Sequence, residues 1–122
     1  MSSMALEPTT EQRFQKAIKH KVNGEYDLAE SLLRTLVEEN PANPRVRREL
    51  GLVFYFTGLF DESLDELRKV VEIAPSYLDG RNSLGMTYAM LGYMDEAKAE
   101  FETVLEMDPN NAEALRQIVY FR

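Results

Sequence analysis

Gly58-Leu59-Phe60-Asp61-Glu62-Ser63-Leu64 has a counterpart 34 residues upstream, Gly24-Glu25-Tyr26-Asp27-Leu28-Ala29-Glu30. Another lies 34 residues downstream, Gly92-Tyr93-Met94-Asp95-Glu96-Ala97-Lys98. Pro41, Pro75 and Pro109 keep the same interval. Ahead of the turn, Leu50-Gly51 matches Leu84-Gly85, Phe54 matches Tyr88, and an arginine recurs at 13, 47 and 81. No column needs a gap. A fixed period of this length marks supersecondary units that cannot bury their apolar faces alone and must stack on one another.

Each unit reads as two helices. Leu50, Gly51 and Phe54 share a face over roughly 44–57, and Leu64, Leu67, Val70 and Val71 share one over roughly 61–73. Gly58 ends the first helix where a left-handed residue is needed. Asp61 and Glu62 open the second, where carboxylates suit free amides and the positive dipole end. Pro75 stops it, because proline disfavours helix at the residue before it and has no N–H to donate. The same logic predicts helices near 11–22 and 27–39 in the first unit and near 78–90 and 95–107 in the third. A last helix over roughly 112–121 caps the stack or starts a fourth unit. No strand pattern competes, so the predicted fold class is all-α.

Composition narrows the function classes. The 122 residues suffice for one compact domain, and 44% hydrophobic with 29% charged residues is the balance of a folded, soluble chain. Acidic residues outnumber basic ones 21 to 14, for a formal charge of −7 and a pI near 4.8. That sign argues against nucleic acid and anionic lipid as partners. Cysteine is absent, which removes disulfides, thiol catalysis and cysteine-held metals. The opening Met1-Ser2-Ser3-Met4-Ala5-Leu6-Glu7-Pro8 has no basic start or long apolar run, and nothing approaches a membrane span. The expected location is the cytoplasm, with residues 1–9 a flexible segment.

The repeated pattern resembles the tetratricopeptide repeat family. Leu84, Gly85, Tyr88, Ala97, Phe101, Val104 and Pro109 fit it in the third unit, as do Leu50, Gly51, Phe54, Ser63, Leu67, Val70 and Pro75 in the second. The first unit keeps Ala17, Ala29, Leu33 and Pro41. It has Lys16 and His20 where leucine and an aromatic are expected, a departure that suits a capping unit whose outer face meets water. The resemblance implies three helix-turn-helix repeats, 10–43, 44–77 and 78–111, followed by the helix at 112–122. It further implies a right-handed superhelical stack, an α-solenoid, whose concave face is lined by the first helix of each pair.

Little in the sequence supports catalysis. Gly80-Arg81-Asn82-Ser83-Leu84-Gly85-Met86-Thr87 has the glycine spacing of a phosphate loop, but Met86 stands where the lysine would be and the segment is predicted helical. His20 has no histidine or cysteine companion for a metal site. Asp61-Glu62, Asp95-Glu96 and Glu38-Glu39 are adjacent in helices and diverge by about 100° instead of converging on one substrate atom. No catalytic, cofactor-binding or metal-binding residue is assigned. Arg13, Arg47 and Arg81 are expected to lay long stems over helix junctions.

A binding face is better supported. The resemblance turns positions 2, 5, 9, 12 and 13 of each unit toward the groove. The candidates are Phe14, Ile18 and Val22 in the first unit, Arg45, Arg48, Leu52, Tyr55 and Phe56 in the second, and Asn82, Met86 and Met90 in the third. A helix that already buries Leu50 and Phe54 has no need of Leu52 and Phe56 on another side, and surplus apolar residues mark contact surfaces. Met86, Met90 and Met94 recur every four residues, a spacing that reads as one stripe, either an adaptable contact surface or core filling. Relatives that clamp acidic chaperone tails carry lysine, asparagine and arginine where this chain has Phe14, Ile18, Glu49, Asp79 and Ser83, which argues against such a ligand. The expected function is therefore a non-catalytic adaptor or scaffold that holds a peptide or amphipathic helix of a partner protein. The alternative is self-association into a homodimer or larger oligomer, with Tyr120 and Phe121 at the contact.

Overall fold

The computed structural model describes residues 7–122, and among them lie seven α-helices and no strand. These are α1 (Thr10–Val22), α2 (Tyr26–Glu39), α3 (Pro44–Phe56), α4 (Phe60–Ile73), α5 (Leu78–Met90), α6 (Met94–Met107) and α7 (Ala112–Ile118). A 3-10 turn, Val119–Phe121, ends the run that the sequence predicts as one helix to 121. Of the flexible segment expected over 1–9, residues 1–6 lie outside the described residues. Thr9 forms a capping box with Gln12, its hydroxyl accepting from the Gln12 amide while the Gln12 side chain accepts from the Thr9 amide.

The hairpins repeat because their turns do. Gly24, Gly58 and Gly92 have φ of 77°, 80° and 84°, the left-handed region that costs glycine least. After each glycine the chain re-enters a helix with no side-chain cap, and Asp27, Asp61 with Glu62, and Asp95 with Glu96 fill the first turns instead.

Packing within a pair depends on the absence of a side chain. A Cβ on Gly51 would lie 2.9 Å from Leu67 Cγ, and one on Gly85 would lie 2.8 Å from Phe101 Cζ. The eighth residue of a unit therefore faces its own second helix. The third, seventh and tenth residues face the preceding pair: Val46, Leu50 and Val53 join the core made with Ala29, Leu33 and Leu36. In α1 the same registers hold Gln12, Lys16 and Lys19, all exposed, so the N-terminal end of the stack is polar.

The arginine column fastens these junctions. Arg47 Nε donates to the Pro41 carbonyl at 2.7 Å and its Nη1 to Glu66 at 2.8 Å. Arg81 repeats this with Pro75 at 2.7 Å and Glu100 at 3.0 Å. Arg13, with Glu7 in the register of Pro41 and Pro75, grips Glu39 with two bonds, and its buried Nε has no partner among the described residues.

Three carboxylates of the first unit sit below their ordinary titration range. Glu39 is held down chiefly by its hydrogen bond to Arg13, Glu25 by that to His20, and Glu11 by that to Gln15. A depressed carboxylate stabilises the fold above its unfolded value and stops doing so as pH falls through its folded value. Acidification below about pH 4.5 is thus expected to loosen the first unit, which holds these three carboxylates. Amide exchange read helix by helix checks this: faster exchange in α1 and α2 than in α5 and α6 is the expected outcome, and uniform loss would contradict it.

Candidate functional site

The first helices of successive pairs touch one another, α1 to α3 and α3 to α5, whereas the second helices make no comparable contact among themselves. The inner side of the stack is therefore the first-helix side. On α3, burial and, after it, the Glu113 carboxylate on α7 raise the Tyr55 phenol above its ordinary range.

The floor of this face is filled from within. Phe14, Leu52 and Asn82 are buried, and the Arg45 guanidinium lies 4.9 Å from the Phe14 ring centroid while also reaching Glu11 at 3.4 Å. Lys21 pairs with Glu49, and Glu49 with Arg48. Arg48 Nε donates to the Ser83 hydroxyl at 3.0 Å and the Asp79 carbonyl at 3.2 Å. Asn82 donates to Asn111 Oδ1 at 3.0 Å, which ties α5 to the N-cap of α7. Arg48 thus bridges to the next unit. These polar groups spend much of their hydrogen-bonding capacity inside the chain.

What remains open is the rim beside the hairpin turns. Val22, Phe56 and Met90, the thirteenth residue of each unit, are 74%, 51% and 53% exposed. Ile18, Tyr55 and Met86 are half-buried next to them in sequence register. The apolar surface continues onto residues outside the groove register that the resemblance implies. Tyr26 stacks on Phe56 with centroids 6.2 Å apart, Tyr55 meets Phe60 edge-on at 5.6 Å, and Leu59, Tyr93 and Met94 are exposed. Their signal was available, as an apolar pair recurring just before the acidic start of the second and third units' second helices. Met94 opens α6 beyond the Gly92 turn, so the three methionines do not form one stripe on one helix.

Along this rim Asp27, Asp61, Glu62, Asp95 and Glu96 are exposed and enter no ion pair among the described residues. The rim therefore offers large apolar side chains in register with uncompensated negative charge.

Comparison with known proteins agrees with this architecture. The tetratricopeptide repeat family matches residues 14–77 and again 78–111, and the chain belongs to that family. Its structure is similar to the first tetratricopeptide domain of Spaghetti (RPAP3) bound to an HSP90 peptide, with a TM-score of 0.87 and 22% identity over 98% of this chain and 95% of that one. It is also similar to the OM64 tetratricopeptide domain of Arabidopsis, with a TM-score of 0.87 and 18% identity over 93% of each chain. A MamA structure from MSR-1 is 29% identical with a TM-score of 0.76, over 93% of this chain and 65% of that one. No curated protein matches the chain. Family and fold make it a protein-interaction repeat, and among the described residues no helix is long and apolar enough to cross a membrane.

Proposed function

We propose that the chain is a non-catalytic binding module that takes up an amphipathic helix of a partner protein along the first-helix face, seated toward the hairpin-turn rim. The observation that carries this is the exposure of one large apolar side chain per unit, Val22, Phe56 and Met90, in strict register. Large apolar groups left outside a core in a contiguous row are the usual mark of an interaction surface. A partner helix meets such a row with anchors at i, i+3, i+4 and i+7. The unpaired carboxylates favour lysine or arginine beside those anchors.

That a solved relative was seen with an HSP90 peptide supports peptide binding as a use of this fold. The ligand differs, because Phe14, Glu49 and Asp79 replace the cationic and amide groups that an acidic tail requires, and Glu49 is already paired with Lys21 and Arg48.

Selection from a displayed library of short helical peptides tests the reading. The expected winners combine leucine or phenylalanine at helical spacing with basic flanks, and their affinity falls as salt is raised. Winners lacking an apolar stripe would contradict it.

A further inference from the structure

The inner face carries a charge that its packing does not need. Among the described residues Glu49 is the one charged side chain that is buried, 7% exposed, in the middle of α3. Withdrawing a carboxylate from water costs desolvation that an apolar side chain of similar size would not incur, so stability alone does not account for it.

Its two oxygens meet cations from two different units. Oε1 accepts from the Lys21 ammonium of α1, and Oε2 from the Arg48 guanidinium of α3 at 3.4 Å. Both cations are mostly covered, with side chains 15% and 24% exposed. Arg48 is also held by the third unit, its Nε donating to the Ser83 hydroxyl at 3.0 Å, and Ser83 in turn donates to the Asp79 carbonyl at 2.9 Å. The guanidinium is therefore kept in place by α5 as well as by Glu49. Two fixed cations that each take one oxygen of a carboxylate make a carboxylate site. The chain supplies its own occupant.

We propose that Glu49 sets the charge selectivity of the first-helix face. It fills from within a carboxylate site built by Lys21 and Arg48, and so shuts out acidic segments of other proteins. The inference rests on the reading of that face as the binding face. An acidic segment reaching the floor finds both cations taken and a carboxylate between them, with the exposed Asp79 next to Arg48. Like charge set against a ligand rejects it, which is how a face discriminates without adding contacts to the right partner. Floor and rim then act in the same sense: the floor refuses carboxylates and the unpaired acids of the rim attract bases.

Fluorescence anisotropy of the full chain with a labelled tetraglutamate peptide, and with tetraglutamine as its neutral control, tests the proposal. Glu49→Ala leaves the two cations and the space between them. It is expected to bind tetraglutamate at least about tenfold more tightly than the wild type, with no change for tetraglutamine. Glu49→Gln keeps the volume and removes only the charge; a smaller gain in the same direction is expected, and this variant serves if the alanine one unfolds. Adding Lys21→Met to Glu49→Ala abolishes the gain. Glu38→Ala changes the net charge equally at an exposed position away from the site and produces none. A folded Glu49 variant that binds tetraglutamate no more tightly would overturn the proposal. So would an equal gain in Glu38→Ala, a gain that survives Lys21→Met, or a wild type that already binds tetraglutamate at micromolar concentration. Capture of a selected helical peptide by the same variants is read separately. Capture without the gain sinks this proposal alone, and the gain without capture supports it while the rim reading fails.

Discussion

Phe101→Ala is expected to lower the free energy of unfolding by about 3–5 kcal/mol, the range for removing a fully buried aromatic ring. Phe101 has no exposed surface, and its ring stands under Gly85 of α5 and 5.8 Å from the Phe121 ring. One side chain thus holds α5, α6 and the C-terminal turn together. The space it leaves cannot be refilled locally, because glycine offers no side chain from above and α6 is held to α5 by Arg81 and Glu100. Small domains have about 5–15 kcal/mol of stability in total, so the variant should stand near its unfolding threshold. Stability in repeat stacks is carried by neighbour contacts, and the loss should appear first in α5 to α7, with the first two units unfolding later. Urea denaturation gives the size and helix-resolved amide exchange the place. A loss under about 1 kcal/mol would mean that Phe101 is not the keystone of this interface.

The second large effect concerns binding. Phe56→Asp together with Met90→Asp is expected to weaken capture of a selected helical peptide about a thousandfold, from roughly 2 kcal/mol for each buried anchor. Both side chains are half exposed, so the cost to folding should be small, and unchanged thermal unfolding is the control. Leu52→Asp is a different experiment. Leu52 is buried, and a carboxylate there should damage the fold itself, so lost binding in that variant would say nothing about the rim. If the Phe56/Met90 variant kept its affinity, the ligand would have to sit elsewhere.

Much of this molecule is legible in its repeats. Glycine at 24, 58 and 92 and proline at 41, 75 and 109 place every turn, and the helix bounds follow to within a residue or two until the 3-10 turn at Val119. The junction role of Arg47 and Arg81 also follows, since a long cationic side chain at a helix start reaches the loop carbonyl before it. The site is less legible. Periodicity says which residues turn inward and leaves open how closely successive first helices approach. That approach is what buries Phe14 beneath Arg45 and Leu52 within the α3 environment, while leaving Phe56 half exposed. The chain from Lys21 through Glu49 and Arg48 to Ser83 is invisible for the same reason. Its members stand 28 and 35 residues apart, and only the curvature of the stack makes them neighbours. Tyr26 and Phe60 open α2 and α4, outside the first-helix positions that the resemblance turns toward the groove.

Backbone amide shifts, followed while a selected amphipathic peptide is titrated into the labelled chain, test the binding proposal most directly. The expected result is a saturable set of changes running from Val22 through Phe56 to Met90, reaching Tyr26, Phe60 and Met94 and sparing the outer faces of α2, α4 and α6. Changes confined to those outer faces, or to α7 alone, would contradict it.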